Sequence, residues 1–219
     1  MANTKLITLT EPRSAASEAF RTLRTNLMFS SVEQPISTLL VTSAAQSEGK
    51  SIMLANLAVA FAQGGHKTIL VDADLRRPSQ HELWGIPNER GLTTMMLDNA
   101  ALSTPPLLDT EVQNLQLLTT GTLPPNPADV ISSPRMAEII GLLKARAHYI
   151  LFDGPPVLAA SDAALLGTKL DGVLLVVKAG HTRREHAARA RQALERVHVR
   201  VVGAVLSNAP NENTGGYYG

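Results

Sequence analysis

One stretch of the sequence decides the fold: Val41-Thr42-Ser43-Ala44-Ala45-Gln46-Ser47-Glu48-Gly49-Lys50-Ser51. An apolar run from Ile36 to Val41 precedes its loop, and a long apolar segment from Ile52 to Ala62 follows it. A strand, a tight loop that ends in Gly-Lys-Ser and a helix are the layout of a phosphate-binding P-loop. The alternative is an ordinary strand-to-helix turn, since Ala44 holds the place where the pattern usually begins with glycine. We predict the P-loop.

Each part of this loop has a chemical task. Backbone N–H groups of the loop and of the helix N-terminus point at the phosphates, where the helix dipole also favours negative charge. The Lys50 ammonium can reach the outer phosphates, and the Ser51 hydroxyl can ligate magnesium. The predicted nucleotide-binding residues are Ala45, Gln46, Ser47, Glu48, Gly49, Lys50, Ser51 and Ile52.

The bulk properties restrict the class of protein. A chain of 219 residues suits one α/β domain with a substantial core. The net charge of +1 gives no polyelectrolyte signature for nucleic acid. The chain has no cysteine, which excludes a disulfide framework. Its N-terminus lacks the apolar core of a signal peptide, and its apolar runs are too short to span a bilayer. We expect a soluble, cytoplasmic protein.

Two further strand patterns end in carboxylates. The apolar run from Thr68 to Val71 leads into Asp72 and Asp74, and the run that begins at Tyr149 leads into Asp153. In parallel sheets, functional groups gather at the C-terminal ends of the strands, so we expect these carboxylates to lie near the phosphates. The alternative for the first pair is a capped loop with solvated acids. The predicted catalytic residues are Lys50, Asp72, Asp74 and Asp153, and the predicted magnesium ligands are Ser51, Asp72, Asp74 and Asp153.

The region before the P-loop predicts an amphipathic helix from about Pro12 to Phe29. Its apolar face contains Ala16, Phe20, Leu23 and Leu27. Helical geometry places Glu18 almost opposite this face, Arg21 on its flank and Arg24 nearer the apolar edge. These charges are either a solvated face with one Glu–Arg pair or a surface offered to another subunit, and the periodicity does not decide between the two.

The C-terminal part predicts two buried strands around an arginine-rich helix. This helix is opened by Thr182-Arg183-Arg184-Glu185, which has the form of a capping box. Asn208 follows the last strand, where its amide either contacts an adenine edge or caps a turn. Residues 210–219 contain almost nothing to bury, so we predict a flexible tail. Tyr217 and Tyr218 in this tail have no folding role and are well placed as substrates.

Together these motifs resemble the bacterial tyrosine kinases, the P-loop-fold kinases of capsule and exopolysaccharide systems. The resemblance runs from about Pro12 to the end of the chain. Its parts are Glu18-x-x-Arg21-x-x-Arg24, the P-loop, Val71-Asp72-Ala73-Asp74-Leu75-Arg76-Arg77-Pro78 and Phe152-Asp153-Gly154-Pro155-Pro156. It implies a three-layer α/β P-loop NTPase fold with a mostly parallel central sheet flanked by helices. Residues 1–209 would form the kinase domain.

The resemblance also implies a function. It is ATP-dependent and Mg²⁺-dependent autophosphorylation of Tyr217 and Tyr218, in trans, within a ring-shaped homo-oligomer. Glu18, Arg21 and Arg24 would make the subunit contact. A transmembrane chain-length-determinant partner, fused or separate in the family, would recruit the kinase to the inner face of the membrane. No transmembrane segment is present in this sequence, so we expect a separate partner or an isolated cytoplasmic domain. A cognate tyrosine phosphatase would reset the tail, and the pathway regulated would be exopolysaccharide or capsule synthesis and export.

Three features depart from the family pattern. Gln46-Ser47 replaces Pro-Gly in the loop, Gly154 replaces a threonine, and the tyrosine cluster is short. If position 47 needs a positive φ, a side chain there is expected to hinder phosphate approach.

Two other functions remain as alternatives. One is a partition or division-site ATPase of the same fold, but those proteins carry a second lysine where this chain has Ala45. The other is a nucleotide-binding regulator with little catalysis.

Overall fold

A computed structural model of the chain describes residues 6–30 and 34–209. In these residues the strands are β1 (Thr38–Ser43), β2 (Thr68–Asp72), β3 (Leu108–Asp109), β4 (Leu115–Leu118), β5 (Tyr149–Asp153), β6 (Gly172–Lys178) and β7 (Val201–Ser207). The helices are α1 (Ile7–Thr10), α2 (Ala15–Phe29), α3 (Lys50–Gln63), α4 (Gln80–Trp84), α5 (Leu92–Leu97), α6 (Ala100–Ser103), α7 (Pro127–Ser132), α8 (Pro134–Lys144), α9 (Asp162–Gly167) and α10 (Arg184–Glu195).

The strands form one sheet in the order β3-β4-β2-β5-β1-β6-β7. All neighbouring pairs are parallel except β3 and β4, which are antiparallel. This architecture confirms the predicted α/β class with a mostly parallel sheet. The two-residue strand β3 was not predicted, because two residues are too few to show a period in the sequence.

Both faces of the sheet are covered, as the unbroken apolar runs of the central strands require. Side chains alternate along β1, so Leu39 and Val41 belong to one core while Leu40 belongs to the other. The first core includes α3, whose residues 53–62 are all buried. The second core includes buried side chains of α5, α8, α9 and α10. The fold therefore has three layers.

Helix α2 covers the outer side of α3. It begins at Ala15, three residues later than the Pro12 start that the sequence suggested, because the Ser14 hydroxyl accepts a hydrogen bond from the Ser17 amide at 3.2 Å and caps the helix. Leu27 is buried, Phe20 and Leu23 are half-buried, and Ala16 stays exposed. The predicted apolar face is thus correct along most of its length.

The register of the sheet brings two carboxylates to the same level. In the parallel pairing of β2 with β5, Asp72 lies opposite Asp153, and β1 ends beside them with Val41 opposite Asp153. The P-loop follows β1 at this same end of the sheet. The C-terminal ends of the strands therefore bring the loop and the acids of β2 and β5 together.

Within the described residues, no helix is long and apolar enough to cross a membrane.

At the opposite end of the sheet, the side chain of Asp171 connects the start of β6 to the start of β1. Its Oδ2 accepts hydrogen bonds from the Ser37 amide (2.9 Å), the Ser37 hydroxyl (2.8 Å) and the Thr38 amide (2.8 Å). Partial burial alone would raise the pKa of Asp171, but these hydrogen bonds outweigh it and hold the pKa at about 2.

Replacing Asp171 by asparagine should therefore destabilise the fold in a pH-dependent way. At pH 7 we expect Asp171→Asn to lower the free energy of unfolding by about 1–3 kcal/mol, because charge-assisted hydrogen bonds are lost. A carboxylate with a lowered folded-state pKa stabilises above its unfolded pKa near 3.8 and loses that effect as the pH falls through about 2. Urea unfolding across this range measures the difference, with Asp109→Asn on β3 as the control. An effect equal to that control at pH 7 would contradict the assignment.

Candidate functional site

The P-loop bends through two left-handed residues. Ser47 has φ 62° and Gly49 has φ 81°, after which α3 begins at Lys50. A positive φ is ordinary for glycine but strained for serine. Residue 47 therefore does need a positive φ, which is the case in which the sequence predicted that a side chain there hinders phosphate approach.

A buried carboxylate holds this loop from its far side. Glu48 is almost fully buried, and its Oε2 accepts from the Ala45 amide at 3.1 Å. Its Oε1 accepts from the Thr182 hydroxyl at 2.6 Å. The prediction that Thr182 opens a capping box is wrong, because α10 begins at Arg184 without a side-chain cap and the Thr182 hydroxyl donates to Glu48 instead. Thr182 thus belongs to the support of the P-loop.

The Lys50 ammonium contacts three side chains of the site. Its Nζ lies 3.0 Å from Asp74 Oδ2, 3.1 Å from Asp153 Oδ1 and 3.2 Å from Ser51 Oγ. Burial alone would lower the pKa of Lys50, but the carboxylates of Asp153 and Asp74 outweigh burial and raise it. The ammonium is therefore positively charged at neutral pH, as phosphate binding requires.

Asp72 lies beneath this cluster and faces the backbone. Its Oδ2 accepts from the amides of Ser79 and Gln80, both at 2.9 Å, and its Oδ1 accepts from the Asp74 amide at 3.3 Å. Complete burial is the main cause that raises the pKa of Asp72, and the negative charge of Asp153 is the second; together they raise it to about 8. Asp72 thus shapes the turn after β2, which aims the Asp74 carboxylate at Lys50.

The oxygen atoms around Lys50 fit a magnesium ion. Three of the four predicted ligands, Ser51, Asp74 and Asp153, converge on one cationic group, and hydroxyl and carboxylate oxygens are the ligands that Mg²⁺ prefers. In the described part of the chain, no group of three or more acids or histidines is placed to hold a metal. A bound ion would therefore need the Ser51 hydroxyl or phosphate oxygens to complete its shell.

A cavity of about 470 Å³ lies above the loop and is lined by Gln46 to Ile52, Asp74 and the two arginines after it. Arg77 Nη1 donates to Gln46 Oε1 at 3.1 Å, which ties the loop to the turn after β2. Arg76 makes a two-point contact with the buried Asp162, at 2.7 and 3.1 Å. Lys50, Arg76 and Arg77 thus line this cavity, with the charges of Lys50 and Arg76 paired to buried aspartates.

The predicted adenine contact lies on the other side of the loop. Asn208 lines a groove of about 740 Å³ that also borders Gly49, Ile52 and the inner face of α2. The groove continues from the P-loop and is lined mainly by apolar side chains such as Phe20 and Leu206. A flat aromatic base would suit it.

The three charged residues of α2 do not share one environment. Glu18 pairs with Arg21 at 2.7 Å on the exposed side of the helix. Arg24 turns inward, and its Nη1 donates to the Ala60 carbonyl of α3 at 3.0 Å. Gly64 leaves room for this contact, because a Cβ there would lie 2.5 Å from Arg24 Nη1. Tyr217 and Tyr218, the predicted phosphoacceptors, lie outside the described residues.

Packing explains why the residue after Asp153 is a glycine. A Cβ at Gly154 would lie 2.5 Å from Leu40 Cδ1, in the fully buried core. The side chain of Leu40 thus fills the space that a threonine at this position would need.

Sequence reasoning missed Gln80. Its side-chain Nε2 donates to Asp153 Oδ2 at 2.7 Å and to the Ser51 carbonyl at 3.1 Å. A lone glutamine after a proline–serine turn carries no motif that could have identified it.

The fold and the site define a class of protein. A Gly-Lys-Ser loop between β1 and α3, with acids at the ends of β2 and β5, is a P-loop NTPase site. Residues 32–211 match the family described as NUBPL iron-transfer P-loop NTPase, of the ParA group.

Within that class, proteins similar over nearly the whole chain include tyrosine kinases. The chain is 41% identical to tyrosine-protein kinase YwqD of Bacillus subtilis (strain 168), over 98% of this chain and 91% of that protein. It is 30% identical to tyrosine-protein kinase wzc of Salmonella typhi, over 98% of this chain but 30% of that longer protein. The kinase domain of Escherichia coli tyrosine kinase ETK superposes with a TM-score of 0.90 at 30% identity, over 99% of this chain and 85% of that one.

The chain belongs to the bacterial tyrosine kinase family. This confirms the resemblance seen in the motifs and favours the kinase over the partition-ATPase alternative. Membership of this P-loop family also implies that the chain binds a nucleotide.

The strained loop position gives a direct test of the site. We expect Ser47→Gly to tighten ADP binding severalfold, because glycine reaches the left-handed conformation at about 1 kcal/mol less cost than serine, so a larger share of the free loops would already have it. Isothermal calorimetry measures the affinity. Ser47→Ala keeps the Cβ and the strain, so it should bind like the parent protein. Equal affinities for the glycine and alanine variants would show that the backbone at residue 47 does not limit binding.

Proposed function

We propose that this chain transfers the γ-phosphoryl group of ATP to tyrosine, and that its own Tyr217 and Tyr218 accept it in trans from a neighbouring subunit. The observation that carries the proposal is the Lys50 ammonium, held where Ser51, Asp74 and Asp153 converge beside the P-loop. This geometry offers a positive charge to the phosphates and oxygen ligands to a metal in one place.

The residues of the site have separable tasks. Loop amides from Gln46 to Ser51 receive the phosphates, and Lys50 moves from its carboxylate partners to the outer phosphates when they arrive. Ser51, Asp74 and Asp153 would hold Mg²⁺, which would supply positive charge beside the phosphates. Catalysis then rests mostly on positioning and electrostatics.

Asp72 has two proposed roles, as an orienting residue and as the acceptor of the phenolic proton. Its three hydrogen bonds from backbone amides support orientation. Burial and the charge of Asp153 raise the pKa of Asp72 to about 8, so only its deprotonated fraction, which grows as the pH rises, would accept the phenolic proton. Its complete burial means that the turn from Ala73 to Ser79 must open for the phenol to reach it.

The groove beside Asn208 is the proposed adenine site. Its apolar walls would stack on the base, and the Asn208 amide would contact the polar edge. Asn208 has φ 55°, a conformation that asparagine tolerates well in turns, so its backbone position has a local reason as well.

We further propose the biological setting that the family implies. The chain would form a ring through Glu18, Arg21 and Arg24, and Arg24 also holds α2 against α3. A separate membrane-embedded chain-length-determinant protein would recruit it to the inner face of the membrane. Phosphorylation of the tail, reversed by a cognate phosphatase, would regulate capsule or exopolysaccharide synthesis and export.

A nucleotide-binding regulator with little catalysis is the second candidate. The strained Ser47, which occupies a glycine position of the family pattern, favours it. The two functions differ in whether the tail becomes phosphorylated.

Mass spectrometry of the purified protein after incubation with MgATP tests the first proposal. We expect phosphate on Tyr217 or Tyr218 in the parent protein, and a loss of about 100-fold or more in Lys50→Met and Asp72→Asn, because each removes charge or orientation that the transfer needs. Lys67→Met, at the opposite end of the sheet, is the matched control and should behave like the parent.

Three outcomes separate the candidates. Tail phosphotyrosine that persists in both site variants would refute the assignment of these residues. Release of ADP with an unmodified tail indicates an ATPase, and nucleotide binding without turnover indicates the regulator.

The two sides of α2 should respond differently to substitution. Glu18→Ala should weaken subunit association in analytical ultracentrifugation while changing the free energy of unfolding by less than about 1 kcal/mol, because Glu18 makes an exposed ion pair. Arg24→Ala should lower that free energy by about 1–3 kcal/mol, because the Ala60 carbonyl loses its charged donor. Unchanged association in Glu18→Ala would argue against this face as the subunit contact.

A further inference from the structure

Gln80 makes hydrogen bonds to three separate parts of the candidate site. It is the first residue of α4 and is fully buried. Its side chain reaches Asp153 on β5 and the Ser51 carbonyl at the start of α3, while its backbone amide donates to Asp72. A single residue thus contacts β2, β5 and the P-loop helix.

The orientation of the Gln80 amide is determined by its neighbours. Trp84 Nε1 lies 3.3 Å from Gln80 Oε1, and an indole nitrogen can only donate. The amide oxygen must therefore face Trp84. Both N–H groups of Nε2 then point to acceptors, one to the Asp153 carboxylate and the other to the Ser51 carbonyl.

This arrangement assigns separate tasks to the two oxygens of Asp153. Oδ2 accepts from Gln80 at 2.7 Å, and Oδ1 faces the Lys50 ammonium at 3.1 Å. Gln80 thereby fixes the rotation of the carboxylate. Through the Ser51 carbonyl it also fixes the backbone of the residue whose hydroxyl faces the same ammonium.

We propose that Gln80, held by Trp84, is a positioning residue for the divalent cation: it turns one oxygen of Asp153 and the Ser51 hydroxyl toward the point where the metal binds with the nucleotide. The proposal rests on the proposed function, in which Ser51, Asp74 and Asp153 hold Mg²⁺. Residues that orient metal ligands commonly change metal affinity by about 10–100-fold when they are replaced.

A purely structural role makes a different prediction. A buried glutamine that only stabilised the fold would lower the melting temperature without changing how strongly Mg²⁺ favours nucleotide binding in the folded protein. A positioning residue changes that metal effect. The ratio of ADP affinities with and without Mg²⁺ therefore distinguishes the two roles without reference to catalytic activity.

The test compares ADP binding in excess magnesium chloride and in EDTA by isothermal calorimetry, with thermal melts to confirm folding. In Gln80→Met, which keeps length but removes the amide, we expect ADP affinity in EDTA to change little. The factor by which Mg²⁺ tightens binding should fall about tenfold or more. Trp84→Phe keeps the ring but frees the amide, so it should reduce the same factor by a smaller amount.

Gln116→Met is the matched control. Gln116 Nε2 also donates to an aspartate, Asp109, at 2.9 Å, but this pair lies on the exposed edge of the sheet. Its metal effect should equal that of the parent. Trp84 is the only tryptophan in the chain, so a shift of its emission in Gln80→Met reports the lost hydrogen bond independently.

The outcomes are distinct. A folded Gln80→Met protein with the parent's metal effect overturns the proposal. If that variant does not fold, an unchanged metal effect in Trp84→Phe overturns it instead. If Mg²⁺ fails to tighten ADP binding to the parent, the metal site of the proposed function is refuted, and the role of Gln80 is refuted with it.

Discussion

The site depends on one ammonium group placed between two buried carboxylates. Lys50 comes from the first turn of α3, Asp74 from the turn after β2 and Asp153 from the end of β5, so three separate elements meet at this cation. Without it, the negative charges of Asp74 and Asp153 would lie unpaired in a region where charges are costly to bury. The same arrangement holds Lys50 ready for phosphate, which offers a comparable negative partner.

The supports of the P-loop come from distant parts of the chain. Glu48 links the loop to Thr182, the Ser207 hydroxyl donates to the Glu48 carbonyl at 3.2 Å, and Lys178 Nζ reaches the Ser47 carbonyl at 3.4 Å. Ser207 ends β7, from which the tyrosine-bearing tail continues. The loop that we propose binds the phosphates is therefore in direct contact with Ser207, three residues before the proposed tail begins.

The parts predictable from the sequence are those with a local pattern. The strand–loop–helix order, the Gly-Lys-Ser ending and the acids after apolar runs each show within about ten residues, and together they gave the fold and most site residues. The contacts of Gln80 with Asp153 and of Thr182 with Glu48 join residues 73 and 134 positions apart, so no local period reports them. The partner of Arg24 is hidden for a similar reason: its spacing places it nearer the apolar edge of α2, but no local pattern identifies the Ala60 carbonyl of α3.

Transfer between subunits is the central claim, and a mixing experiment tests it most directly. Lys50→Met protein, which keeps its tail but has an impaired site, is combined with a protein that has an intact site and both Tyr217 and Tyr218 replaced by phenylalanine. With MgATP, phosphotyrosine should appear on the Lys50→Met tail in the mixture and stay near background in either protein alone. A mixture whose tails remain unmodified, while the parent protein phosphorylates itself, would contradict transfer in trans.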